Sequence, residues 1–86
     1  MKNQTESDYE MPGAFVLINA EVGTEETVLE RIKAIPSVKE AYIVYGVYDI
    51  IARVEEHEMN VLKDTITESI RKIELVRSTL TMILIE

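Results

Sequence analysis

Asp49 closes the run Gly46-Val47-Tyr48-Asp49 between two apolar segments. A carboxylate there can receive an ammonium group in a charge-assisted hydrogen bond. Asp is also favoured in turns, and a solvated turn carboxylate is the simpler account on the residues alone. Gly46 is most simply a backbone requirement for positive φ. Thr79 and Thr81 lie two apart, so their hydroxyls share one face of an extended segment and can donate or accept hydrogen bonds. They are also ordinary strand residues. Arg77 can pair with an acid across an interface or stand in solvent. Tyr42, Tyr45 and Tyr48 suit packing better than a binding box. His57, the one histidine, lies within Glu55-Glu56-His57-Glu58, which lacks the ligand spacing of a zinc helix motif; a solvated surface position is expected. The chain holds no nucleophile–base–orienter set and no glycine-rich phosphate loop. With no cysteine, disulfides, thiolate zinc sites and a cysteine nucleophile are excluded. No catalytic residue, metal site or cofactor is expected.

The elements that hold these residues must fit into 86 residues, one domain at most. A domain this small is marginal alone and gains from oligomerisation. Its formal net charge of −7 opposes binding to phosphate backbones and to anionic membrane surfaces. No apolar run approaches the ~18–20 residues that span a bilayer. The polar, acidic start does not read as a secretory signal. A soluble cytoplasmic protein is expected, with neither nucleic acid nor membrane as direct partner.

Residues 1–13 have little to bury and read as a flexible tail ahead of a domain over 14–86. Ala14–Glu21 reads as a first strand. Thr24 is a plausible N-cap, Glu25 and Glu26 suit the first helical turn, and Val28, Leu29, Ile32 and Ile35 recur at helical spacing up to Pro36. Val38–Tyr45 and Tyr48–Glu55 read as strands joined by a two-residue type II′ turn at Gly46-Val47. Met59, Leu62, Ile66, Ile70 and Ile73 mark a second helix, with Lys63, Asp64, Glu68 and Arg71 outward. Val76–Ile85 is the last strand. This βαββαβ order with right-handed crossovers gives an α+β, ferredoxin-like fold: an antiparallel sheet of order 4-1-3-2 with both helices on one face.

The strands are apolar on both alternating faces, and two helices cover only one side of the sheet. In the third strand, Tyr48, Ile50, Ala52 and Val54 suit the helix side, leaving Asp49, Ile51, Arg53 and Glu55 opposite. In the fourth, Val76, Ser78, Leu80, Met82 and Leu84 share one face and Arg77, Thr79, Thr81, Ile83 and Ile85 the other. Setting the second group on the open side predicts a mixed open face, apolar at one end and carrying Asp, Arg and Thr at the other. At roughly 25 cal/mol per Å² of apolar surface, its exposure is costly, and packing on a copy about a two-fold axis removes that cost.

Gly46-Val47-Tyr48-Asp49-Ile50 resembles the Gly-x-Tyr-Asp hairpin of the Lrp/AsnC transcription regulators. The V-x-x-A-Y-x-V-x-G-x-Y-D stretch from Val38 to Asp49 and V-R-S-T-L-T from Val76 to Thr81 agree with it. The resemblance covers residues 14–86 and lies in that family's C-terminal effector half, the RAM domain. Full members carry an N-terminal helix-turn-helix domain; with thirteen residues before the first strand, this chain looks like a stand-alone effector domain without DNA binding, as its acidity also suggests. The resemblance implies that two chains pair sheet to sheet as a dimeric α/β barrel. It further implies that dimers assemble, often four into an octameric ring, and that amino acids or related small metabolites bind between them. Gly46, Tyr48, Asp49, Thr79 and Thr81 are then the effector-binding residues.

The leading expectation is a non-catalytic amino-acid-sensing and oligomerisation module that acts with full-length Lrp-like regulators. A small dimeric α/β-barrel enzyme, of monooxygenase or isomerase type, would need a cavity between helices and sheet, with Asn19 and the tyrosines as candidates. A purely structural assembly module is not separable by sequence from the sensor. An ACT-type sensor shares the fold class but fits the central hairpin less well. An RRM lacks its basic and stacking residues here, and a metallochaperone its cysteines.

Overall fold

The structure, a computed structural model, describes residues 11–85. The expected flexible tail therefore lies, apart from Met11, Pro12 and Gly13, outside the described residues. Strand β1 (Gly13–Ala20) starts one residue before Ala14, and the Pro12 carbonyl accepts the Glu56 N–H at 3.1 Å. Helix α1 (Glu25–Lys33), strands β2 (Val38–Ile43) and β3 (Ile50–Glu55), helix α2 (Met59–Asp64) and strand β4 (Val76–Leu84) follow. Helix α2 continues as a wider π-helical turn over Thr65–Ile70, in which the Arg71 N–H donates to the Ile66 carbonyl at 3.0 Å.

The sheet order is β2-β3-β1-β4 with every neighbouring pair antiparallel, which is the expected ferredoxin-like α+β arrangement. Period-2 alternation explains its packing. Ala14, Val16, Ile18 and Ala20 of β1 are buried beside Ile50, Ala52 and Val54 of β3 and Ala41 of β2. Val28 and Ile32 of α1, with Leu62, Ile66 and Ile70 of the second helix, complete this core. Thr24 does not cap α1 through its side chain; its hydroxyl turns back to the Glu21 carbonyl at 2.7 Å. The helix stops at Lys33, ahead of Pro36.

Three local expectations are corrected. The β2–β3 connection is not a two-residue turn. Ile43 pairs with Ile50, the Val44 N–H reaches the Asp49 carbonyl at 2.9 Å, and Tyr45–Tyr48 bridge the gap. Tyr48 therefore lies in the loop and not on the helix-facing side of β3. Asp49, one residue before β3, is itself held against β1, its N–H donating to the Ile18 carbonyl at 2.9 Å.

The faces of β4 are also inverted relative to the sequence expectation. Thr79, Thr81 and Ile83 lie opposite Ile18, Val16 and Ala14, on the helix side. Leu80, Met82 and Leu84 lie opposite Leu17, Phe15 and Gly13, on the open side. Between Asn19 and Ala20 the register shifts, Asn19 meeting Ser78 and Ala20 meeting Val76; this leaves Arg77 as an extra residue and puts Val76 on the helix side. The open face is consequently more apolar than expected. Phe15, Leu17, Ile51, Leu80, Met82, Leu84 and Tyr42 spread across it, with Tyr42 57%, Met82 46% and Leu80 44% exposed.

Candidate functional site

The residues singled out by sequence fall into two groups flanking the end of β1. The first is the β2–β3 loop. Gly46 adopts φ +146°, and a Cβ there would have open space around it, so its requirement is conformational and not steric. Gly46→Ala should lower stability by about 1 kcal/mol through backbone strain alone, read as a drop in thermal midpoint with an unchanged far-UV spectrum. Tyr48 is half-buried, whereas Tyr45 and Val47 at the tip stand in solvent.

Asp49 is held more firmly than a solvated turn residue. Its Oδ2 accepts the Ala20 backbone N–H at 2.9 Å, so the carboxylate ties the loop to the end of β1. Oδ2 is one of two oxygens, and a carboxylate has further acceptor capacity.

The second group is Thr79 and Thr81, which line a groove of about 460 Å³ between β4 and the second helix. Its other walls are Lys63, Ile66, Thr67, Arg71 and Ile83. β4 is an edge strand, and the helix over it leaves this margin open, which is why half-buried hydroxyls are tolerated on the helix side there. The sequence marks Lys63 and Arg71 only as outward on the second helix and gives Thr67 no role. Their four-residue spacing, one helical turn apart, was the available signal.

Thr79 lies opposite Ile18 on one side of β1, and the Asp49 N–H holds the Ile18 carbonyl on the other. The two groups are thus separated by the width of one strand, about 10 Å across two ladder spacings. Yet the groove is not lined by Gly46, Tyr48 or Asp49. Within one chain the structure joins Thr79 to Thr81 and Gly46 to Asp49, and does not bring the two sets into one cavity.

The open face carries one polar cluster. The Arg53 Nε donates to Glu40 Oε2 at 2.7 Å, a second guanidinium nitrogen is paired with Glu55, and the Tyr42 hydroxyl donates to Glu40 at 2.8 Å. The bond from Arg53, and then that from Tyr42, hold the Glu40 carboxyl below the usual carboxylate range. The same bond to Glu40 raises the Tyr42 phenol. Phe15 and Ile51 join Glu40, Tyr42 and Arg53 around a shallow hollow of about 100 Å³. Arg77 is exposed. His57 lies at a surface depression with Ser37, Lys39, Glu55 and Glu56, and among the described residues no group of three His, Asp or Glu side chains could hold a metal ion. Among the described residues no helix is long and apolar enough to cross a membrane.

Comparison with known proteins agrees with this frame. A family model described as the Lrp/AsnC ligand binding domain matches residues 13–86. An uncharacterized HTH-type transcriptional regulator of Pyrococcus abyssi is 35% identical over 82 residues, covering 95% of this chain and 51% of that protein. The chain thus spans about half the length of the curated relative it matches. The crystal structure of FFRP-DM1 is similar at TM-score 0.84 and 47% identity, covering 87% of this chain and 100% of that one. A transcriptional regulator of Neisseria meningitidis, solved as its L-Met complex, shares the fold at TM-score 0.78 with 13% identity, over 87% of this chain and 50% of that one. From its βαββαβ frame, its Gly-x-Tyr-Asp loop and a family match running from β1 to the last residue, this chain belongs to the Lrp/AsnC ligand-binding domain family.

Proposed function

We propose that this domain is a non-catalytic sensor of an amino acid or related small metabolite, which works by assembling with copies of itself. The observation that carries the reading is the uncovered sheet face. Phe15, Leu17, Ile51, Leu80, Met82 and Leu84 form an apolar surface on a chain whose helices already cover the other side. A second copy, turned about a two-fold axis, covers it sheet to sheet as a dimeric α/β barrel. Dimers then meet through the β2–β3 loop, whose Tyr45 and Val47 are solvent-exposed. In an octameric ring, the Gly46, Tyr48 and Asp49 loop of one copy closes the Thr79–Thr81 groove of a neighbour. The loop offers a carboxylate for the ligand ammonium, and the threonines offer hydroxyls.

Ligand then acts by population shift: it favours the assembly that completes its site. Through that assembly the domain modulates full-length Lrp-like regulators in the cytoplasm. A relative of the same fold solved with L-Met supports the ligand class. The enzyme alternative calls for a roomy cavity within the helix–sheet core, and among the described residues that core is packed, the one groove beside it opening at the β4 margin. The space it needs is filled by Val16, Ile18, Val28, Ile32, Ile50, Val54, Leu62 and Ile70, all fully buried. Asn19 points to the open face, reaching Ser78 Oγ at 3.4 Å.

The test is light scattering and thermal melting of the purified chain against each of the common amino acids. A mass well above 9.8 kDa is expected, with at least one amino acid raising the midpoint. At a hundredfold excess over Kd the ligand adds about 2.7 kcal/mol, or roughly 10 °C or more for a domain of this size. A cooperatively melting monomer indifferent to every amino acid sinks the proposal.

A further inference from the structure

Resting on the groove as the effector seat, we infer that it selects a ligand bearing two acidic groups, a small dicarboxylate, through Lys63 and Arg71. The lining is Lys63, Arg71, Thr67, Thr79, Thr81, Ile66 and Ile83: two cations, three hydroxyls, two apolar side chains and no carboxylate. In a chain with 16 acidic and 9 basic residues, a ligand-sized groove without an acid runs against the composition. Among the described residues neither Lys63 nor Arg71 takes part in an ion pair. Of the neighbouring carboxylates on the same helix, Glu68 is engaged by Lys72 at 2.8 Å and Asp64, next to Lys63, does not line the groove.

The chemistry follows from the donor set. A guanidinium binds a carboxylate through two parallel N–H bonds, and an ammonium adds a compact point charge. A neutral amino acid has one carboxylate and leaves one cation unpaired, whereas a diacid satisfies both. The hydroxyls of Thr67, Thr79 and Thr81 can orient the acidic oxygens, and Ile66 and Ile83 give the intervening methylenes an apolar wall. At about 460 Å³, the groove is within the range of small-molecule sites. The π-helical turn carries Ile66 and Thr67 of this wall and Arg71 follows directly as its C-cap; such irregular backbone is a frequent feature of functional sites.

Titration calorimetry of the full chain at low ionic strength tests this. The probes are L-glutamate, L-aspartate, 2-oxoglutarate, L-leucine, L-methionine, L-lysine and inorganic phosphate. At least one of the three diacids should bind tenfold or more tightly than the neutral amino acids, L-lysine and phosphate. Arg71→Gln and Lys63→Gln, both at exposed positions where the fold does not depend on them, should each weaken that diacid tenfold or more. Neither should move the neutral amino acids by more than threefold. A preference for L-glutamate over 2-oxoglutarate would add that the ammonium is read too, and supports the inference. Tighter binding of a neutral or cationic amino acid overturns the charge selection and leaves the sensor reading intact. Phosphate binding as well as the diacids also overturns it, since the groove would then be a simple anion site. Silence to every probe overturns both readings.

Discussion

Leu17→Asp is expected to reduce the assembly to monomers. Leu17 sits at the middle of the open face, opposite Ile51 on β3 and Leu80 on β4. In a single chain a carboxylate there reaches water, so the fold survives. In a sheet-to-sheet dimer, two such carboxylates face apolar surface without partners, and burying an unpaired charge is costly enough to outweigh local packing. The two-fold axis doubles the effect, because each substitution enters the interface twice. Light scattering should give a mass near 9.8 kDa for the variant, with far-UV circular dichroism retained. Thr27→Asp, on the exposed surface of α1, should leave the native assembly unchanged. An unchanged mass for Leu17→Asp would mean that copies associate through another surface.

Asp49 should show two separable roles when alanine and asparagine variants are compared. Alanine removes the acceptor of the Ala20 N–H, and Ala20 is only 4% exposed. Leaving a buried N–H unsatisfied costs about 1–3 kcal/mol, which for a domain of this length lowers the midpoint by roughly 4–8 °C per kcal/mol. Asparagine keeps a carbonyl oxygen in the acceptor position and should recover most of that stability. It lacks the charge, so it should bind an amino-acid ligand as weakly as alanine does. The expected order is therefore wild type near asparagine above alanine for melting, and wild type above both for ligand affinity. An asparagine variant that binds like wild type would confine Asp49 to tying the loop to β1.

The open sheet face and the groove belong to one design. β1 is central, and its two faces serve two partners: Ala14, Val16 and Ile18 meet the helices, while Phe15 and Leu17 are left for another surface. β4, at the edge, repeats the division with Leu80 and Met82 outward and Thr79 and Thr81 toward the helix. The proposed pairing face and effector groove thus lie on opposite sides of the same strand. A ligand that shifts β4 in the groove acts on the residues of the pairing face with no intervening element.

Much of this was written in the order of residues. Alternating apolar positions in Ala14–Ala20 and Ile50–Val54, helical spacing in Val28–Ile32 and Leu62–Ile70, and right-handed crossovers were enough for the βαββαβ frame, its strand order and the deficit of cover on one face. The Gly46–Asp49 run, in that frame, was enough for the family. Only the tertiary structure decided which face of β4 lies open, how long the β2–β3 loop is and what walls the groove. A period-two pattern sorts side chains into two sets but does not say which set faces the helices; pairing with β1 decides that, and one extra residue at Arg77 reverses the parity. The loop runs on to Asp49, whose N–H and carboxylate both tie it to the end of β1, and the groove arises where Lys63 and Arg71 meet Thr79 and Thr81 across a chain reversal. Contacts between distant residues leave no local period for a linear reading to find.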